Sequence, residues 1–304
     1  MEPFRVHILG CGSALPTLRH YPSTQVVELR EKLFMVDCGE GAQMQLRRLR
    51  IHFTKVSCVF ISHLHGDHCF GLIGMISTFG LLGRTARLHV YAEERLNDML
   101  QRQMDLFCRD LGYEVVFHPI DPFSQKVIYE DRSLTVETIP LTHRLPTCGF
   151  LFREKPSLPH IRRDMIDFYH IPTSQILNIK NGADWTTADG ELVPNSRLVT
   201  PAAPPRSYAY CSDTCYMPSL HQQLKGVSTL YHESTYGEDN LQMAQKYYHS
   251  TARQAAMVAR DAGAGQLVLG HYSSRYNDER VLLDEAREVF ENVRLSNELD
   301  VIDV

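Results

Sequence analysis

Polar and apolar residues alternate over positions 4–9 and the run stops at Gly10-Cys11-Gly12-Ser13, which predicts a strand feeding a glycine-rich turn. No helical spacing follows that turn, so it reads as a tight turn rather than a phosphate cradle. Residues 25–29 and 33–36 predict two more strands, the second delivering Asp37-Cys38-Gly39-Glu40-Gly41. Helical spacing then covers 43–49, with Arg47, Arg48 and Arg50 on a solvated face. An apolar run over 56–61 reaches Ser62-His63-Leu64-His65-Gly66-Asp67-His68, and residues 69–82 predict a helix packed on a sheet. Further strands are expected over 88–92, 115–119, 126–129 and 134–141, with an amphipathic helix over 93–107.

From 153 to 206 the periodicity fades. Prolines recur, and Trp185, the only tryptophan, stands in a polar setting. This stretch is expected to be an insertion within a single domain spanning 1–304. Pattern resumes with strands over 207–211, 228–231 and 266–270, a helix running to Ala262 with Ser250 or Thr251 as its N-cap, and a last amphipathic helix over 278–290.

The chain has 304 residues, 43% of them hydrophobic, enough for a sizeable core. The formal charge is -5, with 31 Lys and Arg against 36 Asp and Glu, so any nucleic-acid surface has to be local. The 153–206 segment carries a surplus of one positive charge, which suits a nucleic-acid-gripping arm and an ordinary long loop alike. The N-terminus enters a strand directly and no apolar run reaches transmembrane length, so a cytoplasmic location without membrane partners is expected. The 8 cysteines show no CxxC spacing and read as reduced core residues, Cys211 and Cys215 being neighbours of a ligand rather than ligands.

Three imidazoles and a carboxylate within 63–68 exceed what packing explains. In an extended segment residues i and i+2 share a face, so His63 and His65 can meet one ion, while the turn at Gly66 sends Asp67 and His68 to a second. Strand-like runs also stop at Asp37, His63, His143, Asp213 and His271. In layered α/β architectures strand ends are where side chains converge. One ion can take His63, His65 and His143, the other Asp67, His68 and His271, with Asp213 bridging and Asp37 holding a ligating histidine from behind. Nitrogen and oxygen donors without a thiolate favour zinc, two ions in all.

The His-x-His-x-Asp-His motif at 63–68, preceded by Asp37 and followed in order by His143, Asp213 and His271, resembles the metallo-β-lactamase superfamily. Within it, Val36 to Gln43, His232-Glu233-Ser234-Thr235, Tyr248-His249-Ser250-Thr251 and Gly270 to Tyr276 are similar to the ribonuclease Z family across nearly the whole chain. That resemblance implies an α/β fold, a four-layered αβ/βα sandwich, and zinc-dependent removal of the 3′ trailer from precursor tRNA. It also implies a homodimer, no DNA substrate, and an arm at 153–206 that clamps the tRNA elbow. The hydroxide formed at the metals attacks phosphorus, leaving a 3′-hydroxyl on the tRNA and a 5′-phosphate on the trailer.

As a ligand by its position, Asp67 can also hold the attacking water or accept its proton; by the same resemblance His249 protonates the leaving ribose oxygen and Glu233 tunes or orients His249. From the residues alone, His249 and Glu233 are equally helix-cap and turn residues, and Arg275 is a phosphate contact or a surface ion pair. Two positions depart from the family pattern. The early loop reads Pro16-Thr17-Leu18-Arg19-His20-Tyr21, and Ile171 to Ile176 lacks the arm's Gly-Pro motif. Alternative readings are a hydrolase of small phosphodiesters, sulfate esters or thioesters, and a non-catalytic RNA-binding module.

Overall fold

Neighbouring residues of the strand Lys32–Val36 face opposite layers. Leu33 and Met35 pack with the helix side chains Leu46, Met75 and Phe79, whereas Phe34 and Val36 pack with Phe60, Phe150 and Phe152. A strand that is apolar on both faces is one sandwiched between helices on one side and a second sheet on the other. The structure is a computed structural model that describes residues 2–304.

Two seven-stranded sheets supply the inner layers. The first runs Val301–Asp303, Phe4–Gly10, Thr24–Leu29, Lys32–Val36, Val56–Phe60, Leu88–Glu93 and Val115–Ile120 from edge to edge. Its pairs are antiparallel up to Lys32–Val36 and parallel beyond. The second runs Val293–Leu295, Gln266–Gly270, Thr229–Glu233, Ser207–Cys211, Thr147–Glu154, Leu134–Leu141 and Val127–Glu130. Rings from the two sheets meet between them, Phe60 lying 5.4 Å from Phe150 and 5.7 Å from Phe152. Burying each such ring contributes roughly 1.5–3 kcal/mol.

Helices Ala42–Arg48, Leu72–Leu81 and Arg95–Phe107 cover the outer face of the first sheet. Ala252–Ala262 and Arg280–Arg287 cover that of the second. The alanines at 252, 255, 256 and 259 let the first of these lie close to the sheet. Its start is fixed by a capping box, in which Thr251 Oγ1 accepts from Gln254 N at 3.2 Å and Gln254 Oε1 accepts from Thr251 N at 3.0 Å. It ends at Gly263, whose φ of 61° is left-handed.

The chain divides into two compact units, Glu154–Pro205 and the remainder. The smaller has short helices at Arg163–Phe168, Thr173–Lys180 and Asn195–Leu198, two pairs of two-residue strands, and a core of Ile171, Ile179, Val193 and Leu198. Trp185 packs partly buried against that core rather than standing in a polar environment. In the larger unit, the chain leaves one strand and re-enters the next at paired residues, Arg153 opposite Ser207 in an antiparallel ladder.

Several elements differ from the sequence expectations. Thr147–Glu154 is a strand, and Val293–Leu295 and Val301–Asp303 add edge strands. Leu241–Tyr247 is a helix. The single helix expected over 69–82 is two, Gly66–Cys69 and Leu72–Leu81, because the chain breaks where Gly71 presses on a neighbouring loop. Gly71 N–H donates to Cys38 O at 2.8 Å, and a Cβ on Gly71 would lie 2.1 Å from Gly39 O.

Backbone atoms cannot move aside as a flexible side chain can, so Gly71→Ala is expected to cost about 1–3 kcal/mol. Urea denaturation would show this as a lowered midpoint at unchanged slope.

Candidate metal centre and active site

Just past three of the strands that point here the chain passes through a residue in left-handed backbone: Asp37 (φ 56°), Asp213 (φ 59°) and His271 (φ 58°). Non-glycine residues rarely adopt this conformation, and each instance bends the chain sharply after an apolar strand and turns its side chain inward. His63 follows the strand Val56–Phe60, and the short helix Gly66–Cys69 carries Asp67 and His68.

The side chains form two groups around Asp213. In the first, His63 Nε2 lies 2.9 Å and His143 Nε2 3.3 Å from His65 Nδ1, and both Nε2 atoms lie 3.6 Å from Asp213 Oδ2. In the second, His68 Nε2 and His271 Nε2 lie 3.3 Å and 3.0 Å from the other oxygen, Asp213 Oδ1. Asp67 Oδ2 stands 3.3 Å from His68 Nε2 and 3.8 Å from His271 Nε2. Asp213 thus faces one set of donors with each oxygen.

Hydrogen bonds behind the rings decide which nitrogen faces inward. His68 Nδ1 donates to Asp37 Oδ2 at 2.7 Å, His63 Nδ1 to Ser62 Oγ at 3.0 Å, His143 Nδ1 to Tyr248 O at 2.9 Å and His271 Nδ1 to Thr235 Oγ1 at 2.8 Å. Each leaves the Nε2 lone pair directed at the cluster. Asp37, fully buried, also accepts from Ser62 N at 2.7 Å, Ser62 Oγ at 2.9 Å and Tyr210 Oη at 2.7 Å.

The buried atoms His68 Nε2 and His271 Nε2 make no hydrogen bond among the described residues. Buried polar atoms ordinarily find partners. Inward lone pairs, two orphaned ring nitrogens and a central carboxylate together fit a divalent metal centre. Burial pushes Asp213 up, but the imidazoles of His271, His68 and His63 hold it well below the usual carboxylate range. Burial, and after it the neighbouring His68, lower His63 below the ordinary imidazole value.

Next to this cluster, the fully buried Glu233 accepts from His249 Nδ1 and Thr214 N through Oε1, each at 2.8 Å, and from Thr235 Oγ1 through Oε2 at 2.5 Å. Because Thr235 Oγ1 also accepts from His271, one carboxylate orients His249 directly and His271 through a hydroxyl. Burial lowers His249, but the Glu233 carboxylate outweighs it and raises the imidazole to about 9. Burial raises Glu233, and His249 draws it down below its ordinary value. The ring of His249 lies 4.9 Å from that of His143 and 5.4 Å from that of His271.

A cleft of about 810 Å³ exposes His65, Asp67, His143, Asp213, His249 and His271. Arg275 lines it too and makes no ion pair among the described residues. Sequence reasoning passed over Arg144, whose guanidinium lies 4.6 Å from the Tyr247 ring at the same cleft. It also missed Ser62, Thr235 and Tyr210 as supports. The first two adjoin named motif residues, but Tyr210 gave no signal beyond an apolar strand. Neither Cys211 nor Cys215 joins the donor groups.

Two facing sheets flanked by helices, with such a cluster at their strand ends, define a metallo-β-lactamase-fold protein. The structure of a metallo-β-lactamase fold protein from Bacillus subtilis is similar at a TM-score of 0.70 and 18% identity, over 100% of both chains. Human tRNase Z, short form, is similar at a TM-score of 0.71 and 23% identity, over 98% of each chain. Residues 4–158 match the family model described as anti-Pycsar protein Apyc1, a match that ends before Asp213. A ribonuclease Z from Phocaeicola vulgatus is 57% identical over 298 residues, covering 98% of this chain and 96% of that protein. The chain belongs to the ribonuclease Z family.

Asp37→Asn removes the charge behind His68 while keeping its shape. It is expected to weaken metal binding by about 10–100-fold with the fold retained. Competition against a chromophoric chelator would measure the first, and circular dichroism the second.

Proposed function

We propose that this protein is a zinc-dependent endoribonuclease that removes the 3′ trailer from precursor tRNA, leaving a 3′-hydroxyl on the tRNA and a 5′-phosphate on the trailer. The observation that carries this reading is the division of Asp213 between two donor sets, with the His249–Glu233 pair in the same cleft. His63, His65 and His143 would hold one zinc, Asp67, His68 and His271 the other, and Asp213 both. Two such ions supply an activated water and neutralise the phosphate in an in-line displacement.

The chain's own groups do the rest. Asp67 takes the proton of the attacking water. His249, bound through Nδ1 to Glu233, carries its transferable proton on Nε2 and gives it to the departing ribose 3′-oxygen. Arg275 and Arg144, both exposed at the cleft, are suited to phosphates flanking the scissile bond. The assignment of 153–206 as the arm that grips the tRNA elbow is supported by its place between His143 and Asp213 and by its small core. Assembly as a homodimer rests on likeness to the family.

The deciding experiment is cleavage of a 3′-extended tRNA precursor before and after chelation and zinc restoration, with the cut mapped to the nucleotide. A single zinc-restored cut at, or one nucleotide past, the end of the acceptor stem is expected. An intact precursor alongside hydrolysis of a small phosphodiester would overturn the substrate assignment. His249→Ala is expected to lower kcat by about 10²–10⁴-fold on the same substrate.

The pH profile gives a further test. His249 acts in its protonated form, so activity falls as pH rises through the value of that imidazole. Glu233→Gln removes the carboxylate that raises it, and the alkaline limb should move to lower pH. An unmoved limb would assign that limb to another group.

A further inference from the structure

Away from the cleft's donor groups, two segments far apart in the chain bring a thiol, an imidazole and a carboxylate together. Cys11 follows the first strand, His20 lies in the loop after it, and Glu298 precedes the last strand. Cys11 Sγ is 3.3 Å from His20 Nδ1 and 3.6 Å from Glu298 Oε1, and His20 Nδ1 is 2.9 Å from Glu298 Oε2. We propose that Cys11, His20 and Glu298 form a second metal site, structural in role and suited to zinc.

The geometry fits that ion. Tetrahedral zinc with ordinary bond lengths separates sulfur from nitrogen or oxygen by roughly 3.5 Å, and nitrogen from oxygen by about 3.3 Å. The thiol, the ring nitrogen and a carboxylate oxygen all lie within 4.8 Å of one another, so zinc would draw one Glu298 oxygen toward both of the other donors and leave the fourth position to water. His20 Nε2, the ring nitrogen turned away from the thiol, lies 3.3 Å from Glu279 Oε1, and Arg19 in turn donates to that oxygen at 2.8 Å. A carboxylate on the far nitrogen is the usual support of a metal-bound histidine. The side chains of His20 and Glu298 are 9% and 13% exposed and Cys11 is fully buried, so water competes weakly for the donors.

The chemistry of the thiol excludes two other roles. Burial, and after it the Glu298 carboxylate, hold Cys11 well above the ordinary thiol range, so it is neither a nucleophile nor a ready redox sensor. Without metal, a protonated His20 can bridge the thiol and two carboxylates. Metal binding replaces the thiol and imidazolium protons with a dication, leaving the net charge of the cluster unchanged.

Such an ion would clip one wall of the cleft in place. Ser13, Ala14, Leu15 and Pro22, all between or beside the first two donors, line the cleft. The same segment is tied to the residue after His271, since Tyr272 N–H donates to Cys11 O at 2.9 Å and Ser13 N–H to Tyr272 O at 3.1 Å.

The test uses the full-length protein and does not depend on its substrate. Because the donors in the cleft are nitrogen and oxygen only, zinc-edge X-ray absorption of the wild-type protein should show a sulfur scatterer only if Cys11 binds. Cobalt-loaded protein should likewise show a thiolate-to-cobalt charge-transfer band that Cys215→Ser keeps and Cys11→Ser loses. His20→Asn should hold one metal ion fewer per chain than wild type by elemental analysis. A zinc shell without sulfur, a band that survives Cys11→Ser, or unchanged metal content in His20→Asn would overturn the site. The wild-type absorption measurement stands even where a variant fails to fold. If sulfur ligation is found while tRNA precursor stays uncut, the site holds and only the proposed activity falls.

Discussion

A single buried carboxylate holds the two halves of the site together. Asp37 ends a strand of the first sheet, and its oxygens accept from Ser62 at the end of the neighbouring strand, from Tyr210 in the second sheet, and from His68 in the metal cluster. A carboxylate taken out of water is costly unless its lone pairs are occupied. Here four donors occupy them, so the same interaction that makes burial tolerable fixes the distance between the sheets at their site-bearing ends. The orientation of His68 is inherited from that arrangement, not from local packing.

Glu233 plays the matching part on the other side. It is buried on the strand Thr229–Glu233, and its two oxygens serve His249 and, through Thr235, His271. One carboxylate thus orients a proposed metal ligand and a proposed proton donor together. Altering it disturbs both, which is why the pH behaviour of the Glu233→Gln variant separates the roles better than its rate alone. The left-handed backbone at Asp37, Asp213 and His271 is maintained by the same surroundings, since each side chain is pinned by buried partners.

Much of the fold was legible because its strands end in chemistry. The run of histidines at 63–68 and the recurrence of Asp or His after apolar strands located the cluster, and the Ser250-Thr251 pair marked a helix start. Thr147–Glu154 was not legible. It lies inside the second sheet and is buried along most of its length, so no alternation distinguishes it. The helices of 154–205 run only 4 to 8 residues, too short for a periodic signal. The break at Gly71 depends on a loop more than thirty residues earlier, and the meeting of Cys11 and His20 with Glu298 on a contact across nearly the whole chain. Such juxtapositions are properties of the folded topology and leave no trace in a local window.

The pairing of Arg153 with Ser207 makes the intervening segment, in topological terms, the loop of a hairpin, however much structure it contains. Loop closure grows more costly only as the logarithm of length. The ladder that carries Asp213 is already closed at its base, so its register does not depend on what lies between. Evolution can therefore lengthen, shorten or rebuild that segment as a cassette while the geometry of the donor cluster is left as it was.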